Sequence, residues 1–265
     1  MPGGCGGIAT LSQEIVLEKR EKGENIIDCS GLTMRFGKIT ALDGVDLKVG
    51  YGENFGMLGP NGSGKTTLIR VLCGLLKPTA GSATVMGQRM PSRANNADIG
   101  YMTQMDAMYN DLSVRENVRF FASVYGLKGR EREERIDEVL KVADLDKRQN
   151  SIVGTLSGGM KKRASMACVL VHRPKILFLD EPTVGVDPKL RAQFWDYFRE
   201  LNKQGVTLIV STHIMDEAER CGRLAFIRDG KILETGTPAQ LKDRMQCATL
   251  EEAYMCYAEG KHGSV

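Results

Sequence analysis

Long apolar runs are scarce in this chain of 265 residues. The longest, Ala164 to Val171, stops at His172-Arg173-Pro174 and falls well short of the ~20 residues a spanning helix needs, so the chain is not expected to cross a bilayer by itself. An excess of one charge is also missing: 36 basic residues against 33 acidic ones leave a formal +3. That is too little to argue for wrapping nucleic acid or coating an anionic membrane, and no nucleic-acid partner is expected. The seven cysteines (Cys5, Cys29, Cys73, Cys168, Cys221, Cys247, Cys256) are scattered singly, odd in number, and never at the spacings of a zinc site or a disulfide framework. They read as reduced, intracellular thiols. The amino-terminal MPGGCGGIAT lacks a basic segment followed by an apolar run, so no secretory signal is read there. Residues 1 to 25 are expected to form a loosely ordered extension, and no internal repeat is visible.

What the chain does have is 42% hydrophobic residues, enough to bury a globular core. Short β-rich runs at Ile26–Cys29, Leu32–Phe36 and Val45–Val49, separated by turn material at Gly37-Lys38, suggest an antiparallel sheet. A strand at Asn54–Leu58 enters a glycine-rich loop, and a helix is expected from Thr66 to Leu76, before Pro78. Between Gln104 and Gly154 the pattern turns helical: Val114, Val118, Phe121, Ala122 and Tyr125 share a face, and a charged run, REREERIDEVLKVADL, follows. Two continuous apolar strands, Ile176–Leu179 and Val206–Val210, flank a helix over Pro188–Lys203 and imply parallel strands covered on both faces. Asp229-Gly230 marks a hairpin between Leu224–Arg228 and Lys231–Leu233.

The strongest chemical signal is Gly59-Pro60-Asn61-Gly62-Ser63-Gly64-Lys65-Thr66, with Thr67 after it, set between the expected strand and helix. Glycines let backbone N–H groups converge on phosphate oxygens, and the positive end of the following helix favours the anion. Lys65 is suited to the β- and γ-phosphates of a nucleoside triphosphate and the Thr66 hydroxyl to Mg²⁺. The second signal is Ile176-Leu177-Phe178-Leu179-Asp180-Glu181, a strand presenting two carboxylates at its carboxyl end, where ligands bind in open α/β sheets. Asp180 is the candidate for the Mg²⁺ shell, and Glu181 for orienting or deprotonating an attacking water. A third is Leu156-Ser157-Gly158-Gly159-Met160, in which Ser157 can cap a helix start and Gly158 and Gly159 can expose N–H groups as another anion site.

Together these motifs resemble the nucleotide-binding subunit of ATP-binding cassette (ABC) transporters, over residue 26 to about 240. The resemblance implies an α/β fold: a P-loop NTPase core of RecA type with a parallel sheet, an amino-terminal antiparallel β-subdomain, and a helical subdomain inserted at about 105–165. A helical tail would occupy 241–265. It also implies a head-to-tail dimer in which Ser157, Gly158 and Gly159 complete the ATP site of the opposing subunit. By position in the family's order, Phe36 would stack on adenine, and Gln104 would link Mg²⁺ and water to the helical subdomain. Asp187 would cross the dimer interface, and His213 would act as the switch near the γ-phosphate. Each has a plainer alternative: Phe36 as core, Gln104 as a surface polar residue, Asp187 as a helix-start charge beside Pro188, His213 as a strand-end histidine. Met160 departs from the glutamine most common at the fifth signature position, without touching the phosphate-facing residues. Since Glu181 and His213 are both present, active hydrolysis is expected.

Within the family, the segments EPTVGVDP, STHIMDEAE and LEEAYMCYAEG resemble the type-2 exporter branch. That implies a separate integral membrane permease, docked near Met105, Met108 and Tyr109, and a peripheral place on the cytoplasmic face of the membrane. A soluble ABC ATPase without a membrane partner is the rival. The absence of an N-K-x-D motif speaks against a GTPase.

Overall fold

The structure, a computed structural model, describes residues 24–104 and 107–260. The extension read over residues 1–25 lies outside the described residues except for Glu24 and Asn25, as do Cys5, Met105 and residues 261–265 of the tail.

Strands β1 (Asn25–Phe36) and β2 (Ile39–Gly50) pair antiparallel around Gly37-Lys38. The two runs expected at 26–29 and 32–36 are one strand, and the third is the second half of β2. The cause is a bulge: Gly31 takes φ +55, the register shifts between Cys29 and Leu32, and the Gly31 N–H donates to the Asp46 carboxylate at 2.8 Å. A bulge breaks the sequence pattern without ending the strand.

β3 (Asn54–Leu58) runs into the glycine loop and then α1 (Lys65–Leu72). The helix stops at Leu72 rather than Leu76 because Gly74 takes φ +73 and the N–H groups of Leu75 and Leu76 turn back to the Arg70 carbonyl at 2.9 and 3.2 Å.

Three strands that the sequence reading did not anticipate follow: β4 (Ala80–Val85), β5 (Gln88–Arg89) and β6 (Ile99–Met102). Next come α2 (Val114–Val124), α3 (Gly129–Val142) and α4 (Gly158–Leu170), which pack on one another. Ser113 and Glu116 close a reciprocal cap at the start of α2, which buries Val114, Val118 and Ala122. The rest is β7 (Ile176–Asp180), α5 (Pro188–Lys203), β8 (Thr207–Thr212), α6 (Met215–Ala218), β9 (Arg223–Arg228), β10 (Lys231–Gly236), α7 (Pro238–Met245) and α8 (Leu250–Ala258).

Two sheets result. The antiparallel one has the order β2-β1-β4-β5; the other runs β10-β9-β3-β8-β7-β6, parallel except for the β9–β10 hairpin. The expected α/β architecture with its antiparallel partner sheet is therefore what the chain adopts. Strand alternation divides the core in two: Ile176, Phe178 and Ile209 face α1 and the antiparallel sheet, while Leu177, Leu179 and Val210 face the helices on the far side. Fully buried rings such as Phe55, Phe178 and Phe226 each contribute roughly 2–3 kcal/mol. The strand order sets the carboxyl ends of β3, β8 and β7 side by side, with Leu58 opposite Thr212 and Asp180 opposite Ser211. The loops leaving these ends converge on one spot.

Candidate functional site

The glycine loop is fixed by close backbone approach. A Cβ on Gly59 would lie 2.1 Å from the Ile227 carbonyl oxygen of β9, and Gly64, with φ +107 at the start of α1, would meet the Ala41 oxygen at 2.6 Å. No side chain caps α1, so its first-turn N–H groups face the loop's concavity. Lys65 is 4% exposed; its Nζ donates to the carbonyls of Gly59 (2.7 Å) and Pro60 (2.9 Å) and stands 4.0 Å from Glu181 Oε1. Burial pulls its ammonium below the ordinary lysine range, and the charges of Glu181 and Asp180 oppose that pull.

Asp180, the last residue of β7, is 1% exposed. Its Oδ1 accepts from Ser211 Oγ at 2.6 Å and Thr66 Oγ1 at 3.1 Å. Its Oδ2 is buried without a hydrogen-bond partner. A buried carboxylate oxygen is costly to leave unpaired, and an orphaned oxygen beside a threonine hydroxyl is the donor set a hard divalent cation prefers.

Glu181 follows with φ +51, a left-handed backbone for a residue with a Cβ, at a cost of order 1 kcal/mol. Its N–H is shared between Ser211 O (3.2 Å) and Ser211 Oγ (3.1 Å), which holds the turn. The carboxylate accepts from Gln104 Nε2 at 3.0 Å on Oε2 and meets His213 Nδ1 at 3.2 Å on Oε1. Gln104 is an exposed polar residue that reaches Glu181 through that bond, and its backbone carbonyl accepts from Lys162 Nζ of α4 at 2.9 Å.

The structure thus brings the loop, Thr66, Gln104, Asp180, Glu181 and His213 into one cluster. Asn61 and Gly62 are exposed at its rim, Ser63 is buried beneath it, and Thr67 is half-buried in the first turn of α1. Phe36, 46% exposed, is not core. Ser157, Gly158, Gly159 and Asp187 form a second grouping. Ser157 Oγ caps α4 by accepting from Met160 N at 3.4 Å, Gly159 lies 3.1 Å (from a built Cβ) from Leu190, and Asp187 Oδ1 accepts from Leu190 N at 3.0 Å. Asp187 therefore does serve as a helix cap, as its plainer alternative had it.

Two contributors escaped the sequence reading. Ser211 binds both acidic residues, and the buried Glu217 of α6 ties the two strand-end loops together. Glu217 is 1% exposed and accepts from Thr183 Oγ1, two residues past Glu181, and from Thr212 Oγ1 at 2.7 Å, one residue before His213. Arg191 stands 3.8 Å away. Their only sequence signal was the small hydroxyl residues at the ends of β8.

A family profile described as "ABC transporter" matches residues 42–184. The chain is 42% identical over 240 residues to the "Probable multidrug ABC transporter ATP-binding protein YbhF" of Escherichia coli (strain K12), covering 88% of this chain but 42% of that protein. It thus spans less than half the length of that relative. It is 40% identical over 229 residues to the "Nod factor export ATP-binding protein I" of Burkholderia thailandensis, covering 85% of this chain and 75% of that one. Among solved structures, an "ATP binding subunit of ABC transporter" aligns with TM-score 0.81 at 27% identity over 88% of this chain and 99% of its own. An ATP-binding cassette solved as a dimer in a post-hydrolysis state with ADP and Pi aligns at 0.74 and 29% identity, over 80% of this chain and 98% of its own.

Proposed function

The chain belongs to the ABC transporter family, and from that membership we propose that it binds and hydrolyses ATP to energise export through a separate integral membrane permease. The observation that carries this reading is the Glu181 carboxylate, held between Gln104 and His213 at 3.0 and 3.2 Å and 4.0 Å from Lys65. One carboxylate is thereby poised beside a phosphate-seeking loop.

In the proposed reaction the amides of Gly59 to Gly64 cradle the phosphates, and Lys65 exchanges the Gly59 and Pro60 carbonyls for the β- and γ-phosphates. Thr66 and Asp180 would hold Mg²⁺, which when bound neutralises charge building on the phosphate oxygens, and Gln104 would reach its shell. Glu181 orients and deprotonates the attacking water, and His213 steadies the carboxylate and the γ-phosphate side. Phe36 offers an exposed ring to adenine. Ser157, Gly158, Gly159 and Asp187 face a second copy, whose ATP they complete in a head-to-tail dimer; a related cassette solved as a dimer supports this.

For the permease, the proposed dock is the surface around Met108 and Tyr109, next to a small cavity of about 60 Å³ lined by Met108, Phe121, Tyr125 and His172. Beside it stand the exposed rings of Tyr109 and Phe120, with centroids 5.0 Å apart. Met105, assigned to the same dock, lies outside the described residues. No described helix is long and apolar enough to cross a membrane; the place proposed for the chain is peripheral, on the cytoplasmic face. Relatives named for multidrug transport and Nod factor export support export as the direction.

Glu181→Gln tests the chemistry. It is expected to retain ATP binding, lose turnover by on the order of 10²–10⁴-fold, and accumulate an ATP-bound dimer in sedimentation. Hydrolysis at the parental rate would remove Glu181 from its role. Co-purification of an integral membrane protein from the native host tests the exporter assignment, and its absence favours a soluble ATPase.

A further inference from the structure

Cys247, just past α7, and Cys256, on α8, are nine positions apart, yet their sulfurs lie 3.8 Å from each other. The local fold sets this proximity. Gln246 turns through φ +53, the Cys247 N–H donates back to Lys242 O at 3.0 Å, and Thr249 and Glu252 close a cap that starts α8. Both cysteines are partly exposed. Of the other described thiols, Cys29, Cys168 and Cys221 are only 2–4% exposed. Cys73 is half-buried like the pair, and burial pushes its thiol up as it does that of Cys247, but no second sulfur stands against Cys73 among the described residues. Access to solvent is one condition of thiol reactivity, and Cys247 and Cys256 combine partial exposure with sulfurs in contact.

We propose that Cys247 and Cys256 form a dithiol modification site that takes a low-molecular-weight disulfide, of the glutathione class, as its co-reactant. The exchange balances without any other oxidant. One cysteine thiolate attacks the external disulfide and releases one external thiol, leaving a mixed disulfide. The second thiolate attacks the protein sulfur of that bond, releases the second external thiol and closes Cys247–Cys256. The two protein protons leave on the two released thiols. Closing the bond needs the sulfurs to approach from 3.8 Å to about 2.05 Å.

The site matters because of what α8 supports. Its Tyr254 ring packs edge-on against Phe226 at 5.3 Å, and the Tyr254 hydroxyl donates to Ile227 O at 3.4 Å. The Ala258 carbonyl accepts from Arg228 at 3.0 Å. Ile227 O is the atom that a Cβ on Gly59 would strike, and Gly230 N donates to Ser63 O at 3.0 Å. The β9–β10 hairpin is thus the floor of the phosphate loop, and α8 braces that floor from behind. A bond across the hairpin tightens the brace by limiting how α8 opens.

The test equilibrates the full chain in reduced-to-oxidised glutathione buffers, blocks remaining thiols, and cleaves at Glu251 or Glu252, which lie between the two cysteines. A linked peptide pair carrying Cys247 and Cys256, two hydrogens lighter than the reduced pair, is the expected product. Amide exchange across 250–258 should slow on the order of tenfold or more in the oxidised form. Cys247→Ser and Cys256→Ser should each stop at the mixed glutathione disulfide on the remaining cysteine. Mixed adducts alone in the parental chain, a bond from either cysteine to Cys5, or no reaction with oxidised glutathione would each overturn the proposal. ATP turnover is not part of this readout, so it stands or falls apart from the proposed function.

Discussion

Replacing Glu217 by glutamine perturbs the site without touching a group proposed to meet ATP. The carboxylate accepts hydroxyl protons from Thr183 and Thr212 while Arg191 stands 3.8 Å away, all at 1% exposure of the glutamate. An amide presents one acceptor oxygen instead of two, and its NH₂ meets one of the two threonine hydroxyls that donate to the carboxylate. One hydroxyl is left without an acceptor, a cost of about 1–3 kcal/mol, or roughly 3–10 °C in Tm for a chain of this size. Alanine removes both acceptors and strands the Arg191 charge, raising the cost to about 3–5 kcal/mol. The functional effect follows from position: the staple joins the residues flanking Glu181 and His213, so loosening it spreads their 3.2 Å contact. A misplacement of that kind lowers kcat on the order of tenfold or more, while ATP affinity, set by the loop, stays within about twofold. Thermal melting, equilibrium nucleotide binding and steady-state phosphate release on the purified glutamine variant decide the matter. A lowered Tm with parental kcat would reduce Glu217 to a structural brace, and an unchanged Tm would refute the energetic reasoning.

Lys65→Ala removes the ammonium that the loop carbonyls hold, and tight binding of a fluorescent ATP analogue should vanish while Tm changes little. Ser157→Arg should leave nucleotide binding by the isolated chain intact but cut turnover, because the arginine obstructs the face offered to a second copy; unchanged hydrolysis would make the capped helix start irrelevant to catalysis. Burial lowers the His172 imidazole to about 4. Its Nε2 lies 3.0 Å from the Ile99 carbonyl, its Nδ1 is buried without a partner, and its ring stacks on Tyr125 at 3.7 Å. Because the folded pKa lies below the unfolded value of about 6.5, the unfolded state binds the extra proton between those pH values and stability falls as pH drops from about 6.5 to 4, by up to about 3 kcal/mol. A His172→Phe variant should lose that slope in melts taken across this range, and retention of it would assign the titration elsewhere.

How far the sequence sufficed depended on whether the information was local. The phosphate loop is eight consecutive residues between a strand and a helix, and β7 carries its two carboxylates on its own end, so both could be read directly. Gln104 and His213 were named through resemblance, because nothing within their own neighbourhoods points to Glu181, which lies 77 and 32 positions away. Ser211 and Glu217 were missed for the same reason in stronger form: a buried serine and a buried glutamate become meaningful only once strand register sets Ser211 opposite Asp180. Gly31 hid the continuity of β1, since a bulge and a turn carry the same residue signature. Gly74, not Pro78, ended α1. β4, with Gly81, Ser82 and Ala83, and β6, with Gly100, lack the branched apolar alternation by which strands are found, and both owe their conformation to neighbours that pair with them.

The left-handed backbone at Glu181 has a cost for anyone seeking a hardier form of this protein. Glycine or asparagine would relax that turn, so a screen rewarding heat resistance alone will be drawn toward erasing the one carboxylate that Gln104 and His213 both hold. Here robustness and turnover compete for the same position, and gains in durability must be sought at sites the reaction does not use.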